Sequence, residues 1–326
     1  MALLTLAAAF CNQHGVTCRA VTVDHGLRPE AAQEARIVAG ACAAMGIAHS
    51  TLTWRRTTTG AVSQEDARRA RHRLMAKWAE THGVDRIALG HTRDDRLETF
   101  LMRARQGSGW YGLAGLMPNG FSPVWPEGRS LPIVRPLLAF GREELRDELR
   151  TRGIGWIDDP SNDSARFERV RMRRLLARLD GRARDKALRV MDQLMRVRSS
   201  VMEEATALLR QVRPMSENAV DIPLAARTLV GAEAWRRFIE AHLMAVGGSE
   251  RPPRRDALDR LLARIGSGDA GLTRGVTLGG ARIQTLGGAV LRLSPAPPRR
   301  GASAPEIDRE RVKTLLHAPD LRALSV

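Results

Sequence analysis

The chain has 326 residues, 43% of them hydrophobic, enough for about two domains with cores of ordinary size. Its net charge of +16 favours a polyanionic partner, and because Lys77, Lys186 and Lys313 are the only lysines, nearly all its cations are guanidinium groups, which suit bidentate phosphate contacts. No apolar run approaches the roughly 18 residues that span a bilayer, residues 1–10 lack the basic flank of a signal peptide, and Cys11, Cys18 and Cys42 make neither a disulfide framework nor a metal site, so a cytoplasmic protein away from membranes is expected.

In chain order, the hydrophobic pattern predicts a helix over residues 2–14 and a short buried strand over 17–23 that ends at Asp24. A helix over 29–45 closes at Gly46, and a strand-like run follows over 47–54. A basic helix over 64–81 closes at Gly83, a strand covers 86–89, and another helix covers 94–105. Such alternation predicts an α/β fold, a parallel sheet flanked by helices, whose ligands bind beyond the carboxyl ends of the strands. Asp24-His25-Gly26 and Gly90-His91-Thr92 both fall at such ends. Residues 107–136, rich in Gly and Pro, read as loop with one short strand at Val134. A charged helix over 141–153 and the turn Asp158-Asp159-Pro160-Ser161-Asn162 follow. Residues 167–210 read as helix with a weak point at Gly181, which predicts a boundary near residue 180 and a smaller, mainly helical domain over 181–294. Pro252-Pro253 and the Gly-rich stretch 266–288 predict a helix and then short strands, and 295–326 is expected to be a flexible tail.

The densest chemistry lies in His91-Thr92-Arg93-Asp94-Asp95-Arg96-Leu97-Glu98-Thr99. On a helix, His91, Asp94 and Glu98 share a face, and Asp95 meets Glu98 at i+3. Carboxylates at Asp94, Asp95 and Glu98 suit Mg²⁺, which takes oxygen ligands and bridges to phosphates. The alternative is that they complement the positive helix N-terminus and pair with Arg93 or Arg96. Gly107-Ser108-Gly109 and Gly112-Leu113-Ala114-Gly115 allow backbone N–H groups to approach a phosphate, although a plain turn explains them as well. Asp24-His25-Gly26 reads either as a nucleotide contact or as a strand-ending turn. Arg68 and Arg71 lie one helical turn apart, and Arg169, Arg171, Arg173 and Arg174 form a second basic cluster. Arginines at 169, 171 and 173 cannot share one helix face, so some must meet an acid or a phosphate.

Seven segments, taken in order, resemble the tRNA(Ile)-lysidine synthetase family of ATP pyrophosphatases. They are Val23-Asp24-His25-Gly26-Leu27-Arg28, Gln64-Glu65-Asp66-Ala67-Arg68 with Arg71, and His91-x-x-Asp94-Asp95-x-x-Glu98-Thr99. The two Gly-rich segments after Gln106, Arg135-Pro136-Leu137, Asp159-Pro160-Ser161-Asn162 and Arg169-x-Arg171-x-Arg173 complete them, over roughly residues 1–180. The resemblance implies that ATP adenylates C2 of the first anticodon cytidine in tRNA(Ile) with a CAU anticodon, and that free L-lysine then displaces AMP to leave lysidine. It further implies catalytic roles for Asp94, Asp95, Glu98, Arg169, Arg171 and Arg173, with Asp94, Asp95 and Glu98 as Mg²⁺ ligands. ATP would meet Asp24, His25, Gly26, Leu27, His91, Gly107, Ser108 and Gly109. A homodimer is compatible with this reading.

The sequence departs from the family at Arg96, where Gln is usual, and at His72, Gln106 and Val170, where Tyr, Arg and Asn are usual. The larger departure is at the beginning. Members open with a strand and a Ser-Gly-Gly-x-Asp-Ser loop whose N–H groups hold ATP phosphates, whereas this sequence starts at Met1-Ala2-Leu3-Leu4, at the helix that follows. A start assigned too late is the favoured explanation, and the 326 residues alone are expected to bind ATP weakly. Two other readings compete: a related tRNA thiolase, disfavoured by the lack of Cys-x-x-Cys, and a non-catalytic tRNA-binding remnant.

Overall fold

The computed structural model describes residues 1–26, 31–55, 63–128, 131–156, 168–216, 218–297 and 307–316. Its contacts divide the chain into two compact units, Met1–Met195 and Arg196–Val326. The division falls inside one helix, 15 residues beyond the expected boundary.

The first unit alternates helices and strands because its sequence alternates their periods. Helix α1 (Ala2–His14) ends at Gly15, whose φ of 65° lets its N–H return to the Cys11 carbonyl. Strand β1 (Arg19–Asp24), helix α2 (Ala31–Ala44) and strand β2 (Ala48–Thr53) form a right-length crossover, with β1 and β2 parallel from Arg19 opposite Ala48 to Asp24 opposite Thr53. Helix α3 (Gln64–Thr81) starts at Ser63, whose hydroxyl accepts the Asp66 N–H at 3.0 Å. Strand β3 (Ile87–Ala88), helix α4 (Arg93–Arg105) and the one-turn helix α5 (Trp110–Leu113) follow. Strand β5 (Pro132–Val134) runs parallel to β3, and β4 (Asn119–Phe121) runs antiparallel to β5. The parallel sheet is therefore present as two parallel pairs, one with an antiparallel edge. The edge gave no sequence signal, because three residues in a Gly- and Pro-rich stretch show no alternation.

Helix α6 (Arg142–Thr151) precedes α7 (Glu168–Ala177) and α8 (Gly181–Ala207). The weak point at Gly181 is a true helix break: Arg178 and Leu179 close α7, and the Asp180 carboxylate accepts the Ala183 N–H at 2.7 Å to start α8. Leu97, Leu176 and Met191 pack α4, α7 and α8 together. The turn 158–162 lies outside the described residues.

In the second unit, strands β6 (Arg213–Ser216), β7 (Ala219–Pro223), β8 (Val276–Leu278), β9 (Ala281–Leu286) and β10 (Val290–Pro295) form an antiparallel sheet in the order β6-β7-β10-β9-β8. Helix α9 (Ala232–Val246) lays Phe238, Ile239 and Leu243 on Ile222, Ile283, Leu291 and Leu293, and α10 (Arg255–Gly266) adds Leu258 and Leu261. Strands β6 and β7 were not expected, since Pro214 and Pro223 argue against a central strand. The tail also needs correcting. Residues 309–316 form helix α11 (Arg309–Leu316), which buries Val312 and Leu316 in the same core. The buried Arg311 guanidinium donates to the Met244 and Ser249 carbonyls at 3.3 and 2.5 Å, closing the end of α9. Among the described residues no helix is long and apolar enough to cross a membrane.

Candidate active site

The start of α4 is built by a capping box. Asp95 Oδ2 accepts the Thr92 N–H at 2.8 Å and the Thr92 hydroxyl at 2.9 Å, while the Asp95 N–H returns to that hydroxyl. Asp94 turns elsewhere and accepts the Arg142 N–H at 2.7 Å, so it caps α6. Glu98, one turn further, is fully buried. Its Oε1 accepts Arg173 Nε at 2.6 Å and an Arg142 amine at 3.4 Å, while Oε2 is buried with no hydrogen-bond partner. Asp94, Glu98, Arg142 and Arg173 border a cavity of about 390 Å³ between α4, α6, α7 and the start of α8, within the range of small-ligand sites.

A second cluster gathers at the carboxyl ends of the strands. Arg135, just after β5, donates through Nε to His91 Nδ1 at 3.2 Å and through Nη1 to the Met117 carbonyl at 2.9 Å. Buried His72 on α3 is pushed down to about 3, first by burial and then by Arg68, Arg71, Arg135 and His91. His25, beyond β1, packs edge-on to Trp54 at 6.1 Å. Its pKa is lowered by burial and by Arg71, against the pull of Asp24. Three arginines concentrated around neutral imidazoles suit an anion of several charges, as a polyphosphate is.

A model of the PP-loop domain matches residues 1–179. A tRNA(Ile)-lysidine synthase of Hyphomonas neptunium is 44% identical over 283 residues, 87% of this chain and 75% of that one. The enzymes of that name from Bradyrhizobium sp. and Methylobacterium nodulans are 36% and 38% identical, across 92% and 86% of this chain and 88% and 82% of theirs. The chain belongs to the tRNA(Ile)-lysidine synthase family. Other members of the family are matched over as little as 47% of their length.

Within this member of the family, the residues expected at the site separate into two places. Glu98, Asp94 and Arg173 border the cavity, with Arg171 exposed and the Arg169 side chain outside the described residues. His25 and His91 belong to the basic cluster, and Gly26 donates its N–H to the Asp24 carboxylate at 2.8 Å. Leu27 lies outside the described residues. Asp94, Asp95 and Glu98 face three different partners, and the described residues hold no group of three or more His, Cys, Asp or Glu side chains suited to a metal ion. The expected Mg²⁺ ligand set is therefore not formed: Asp95 is held by its own helix start, Asp94 by α6, and Glu98 by two guanidinium groups. Gly107 and Ser108 are also corrected. Their N–H groups donate to the Ala104 and Arg103 carbonyls and close α4, and Gly109 caps α5, so the segment is a helix end and not a phosphate nest. Arg142, Arg184 and Asp185 border the cavity with no sequence signal, since a helix-end residue and two members of a charged run look like ordinary surface.

Proposed function

We propose that this chain joins free L-lysine to C2 of the wobble cytidine in the CAU anticodon of tRNA(Ile), in the cytoplasm, through an adenylated tRNA intermediate. In the first step the C2 oxygen attacks the α-phosphorus of ATP, and the bond to the β-phosphate breaks to release diphosphate. The basic cluster of Arg68, Arg71 and Arg135 supplies the charge neutralisation this step needs. In the second step the ε-amine attacks C2, and the C2–O bond breaks so that AMP leaves with the oxygen. The nitrogen must then lose a proton, and Glu98 Oε2 is the acceptor that the cavity offers.

The observation that carries this reading is the buried, partnerless Oε2 of Glu98, in the motif His91-x-x-Asp94-Asp95-x-x-Glu98, at a cavity. An unsatisfied carboxylate oxygen is costly in a resting protein and is compensated when an ammonium ligand donates to it. Incubating the protein with ATP, L-lysine and tRNA(Ile) carrying CAU, then digesting the tRNA to nucleosides, tests the reading. Lysidine is expected; tRNA binding without lysidine, or a thiolated product, would overturn it.

A further inference from the structure

The cavity's polar groups differ in how far they are committed. Arg93 pairs with Glu144 at 2.6 Å, Arg142 and Arg173 share Glu98 Oε1, and Asp94 accepts the Arg142 N–H. Arg184 turns back onto the end of α7, donating twice to the Leu176 carbonyl at 3.0 and 2.6 Å. Apart from the second oxygen of Asp94, two carboxylates of the cavity lining keep an uncommitted acceptor among the described residues. One is Glu98 Oε2, fully buried on α4. The other is the carboxylate of Asp185, exposed on the first turns of α8. In a chain of net charge +16, a cavity whose open side-chain acceptors are carboxylates discriminates for ammonium groups, and two of them on different helices, one buried and one exposed, suit a ligand with two.

We infer that Asp185 binds the α-ammonium of the amino-acid substrate and so makes the cavity selective for a doubly cationic amino acid. The inference rests on the reading of the cavity as the lysine site and assigns its specificity to a residue outside the motifs of the α/β half. Glu98, next to the turn that carries Asp94 and Asp95, takes the reacting ε-amine; Asp185, exposed on α8, takes the end that does not react. The guanidinium of Arg142, 3.4 Å from Glu98 and a third exposed, lines the same cavity and is a cation that can meet the substrate carboxylate.

The test compares L-lysine with 6-aminohexanoate, which keeps the ε-amine and the carboxylate but lacks the α-ammonium. Affinities are read by calorimetric titration of the full protein and of its Asp185→Asn and Asp185→Glu variants, in the presence of tRNA(Ile). Asp185→Asn is expected to weaken L-lysine about tenfold, the scale of one lost charge-assisted contact at a partly open site, and to leave 6-aminohexanoate within about twofold. Asp185→Glu is expected to keep most of the preference for L-lysine. Equal weakening of both ligands would mean that Asp185 only shapes the wall, and no weakening of either would mean that it is not in contact; each result overturns the inference while leaving the lysine site standing. A wild-type protein that binds neither ligand would overturn the lysine reading itself, and this inference with it.

Discussion

Glu98 shows how one side chain can serve both structure and chemistry. Its Oε1 neutralises Arg173 and Arg142, whose side chains are about a third exposed or less, while its Oε2 is left without a partner. Glu98→Gln keeps the shape but removes the charge. It is expected to lower stability by about 1–3 kcal/mol, because two guanidinium groups lose their counter-ion, and to abolish lysidine formation while tRNA binding persists. Urea unfolding and a filter-binding assay on the same preparation separate the two effects, and a variant of wild-type activity would remove Glu98 from the mechanism. The neighbouring Arg96 works through packing. Its side chain is 8% exposed and reaches Asp192 Oδ1 on α8 at 2.5 Å. Asp192→Asn is expected to cost about 1–2 kcal/mol, reduced from the fully buried case because Asp192 is 44% exposed.

Among the elements, α4 is the one whose start fixes the site. Thr92→Ala removes the hydroxyl that accepts the Asp95 N–H and accompanies the Thr92 N–H on the Asp95 carboxylate, and it is expected to cost about 1 kcal/mol. Because Asp94 and Glu98 ride on the same turns, lysidine formation is expected to fall more than stability does; a purely thermal effect would mean that the cap does not orient the site. In the second unit, α9 ends against the β8–β9 turn so closely that only glycine fits. A Cβ on Gly247 would lie 2.0 Å from the Gly279 carbonyl oxygen, which is backbone on a turn with Gly280 at φ 81°. Gly247→Ala is expected to destabilise by about 3 kcal/mol or more, measured by chemical unfolding.

At the scale of the whole molecule, charge and buried histidines set the response to conditions. His72 in the first unit is held down to about 3, and His242 in the second, buried on α9 with its Nδ1–H donating to the Phe238 carbonyl, to about 4. Both remain neutral in the folded chain while the unfolded chain protonates near 6.5, so their contribution is intact above about pH 6.5. It is lost progressively as pH falls below that, down through pH 4 for His242 and 3 for His72. Among the described residues each unit has one fully enclosed histidine, so unfolding is expected to shift to lower urea between pH 7.5 and 5, and the shift should shrink in His242→Phe. A net charge of +16 also makes tRNA affinity steeply salt-dependent, and an affinity unchanged between low and moderate salt would remove the electrostatic part of the account.

The order of helices and strands to Arg105 was legible in the sequence, because amphipathic periods and closing glycines such as Gly15 and Gly46 are local signals. So were the carboxylates of α4 and the basic excess. What the sequence could not determine is where each charge is satisfied. The facing of Asp94 towards α6, the pairing of Glu98 with Arg173 75 residues away, and the placing of Asp185 at the same cavity depend on how α6, α7 and α8 pack around α4. The strand pairings of β6 and β7, and the burial of α11 where a loose tail was expected, likewise follow from contacts with a core that no local window contains. Local periodicity fixes elements because it acts within a few residues, whereas the partner of a charge is chosen by three-dimensional proximity, and proximity exists only once the chain has folded.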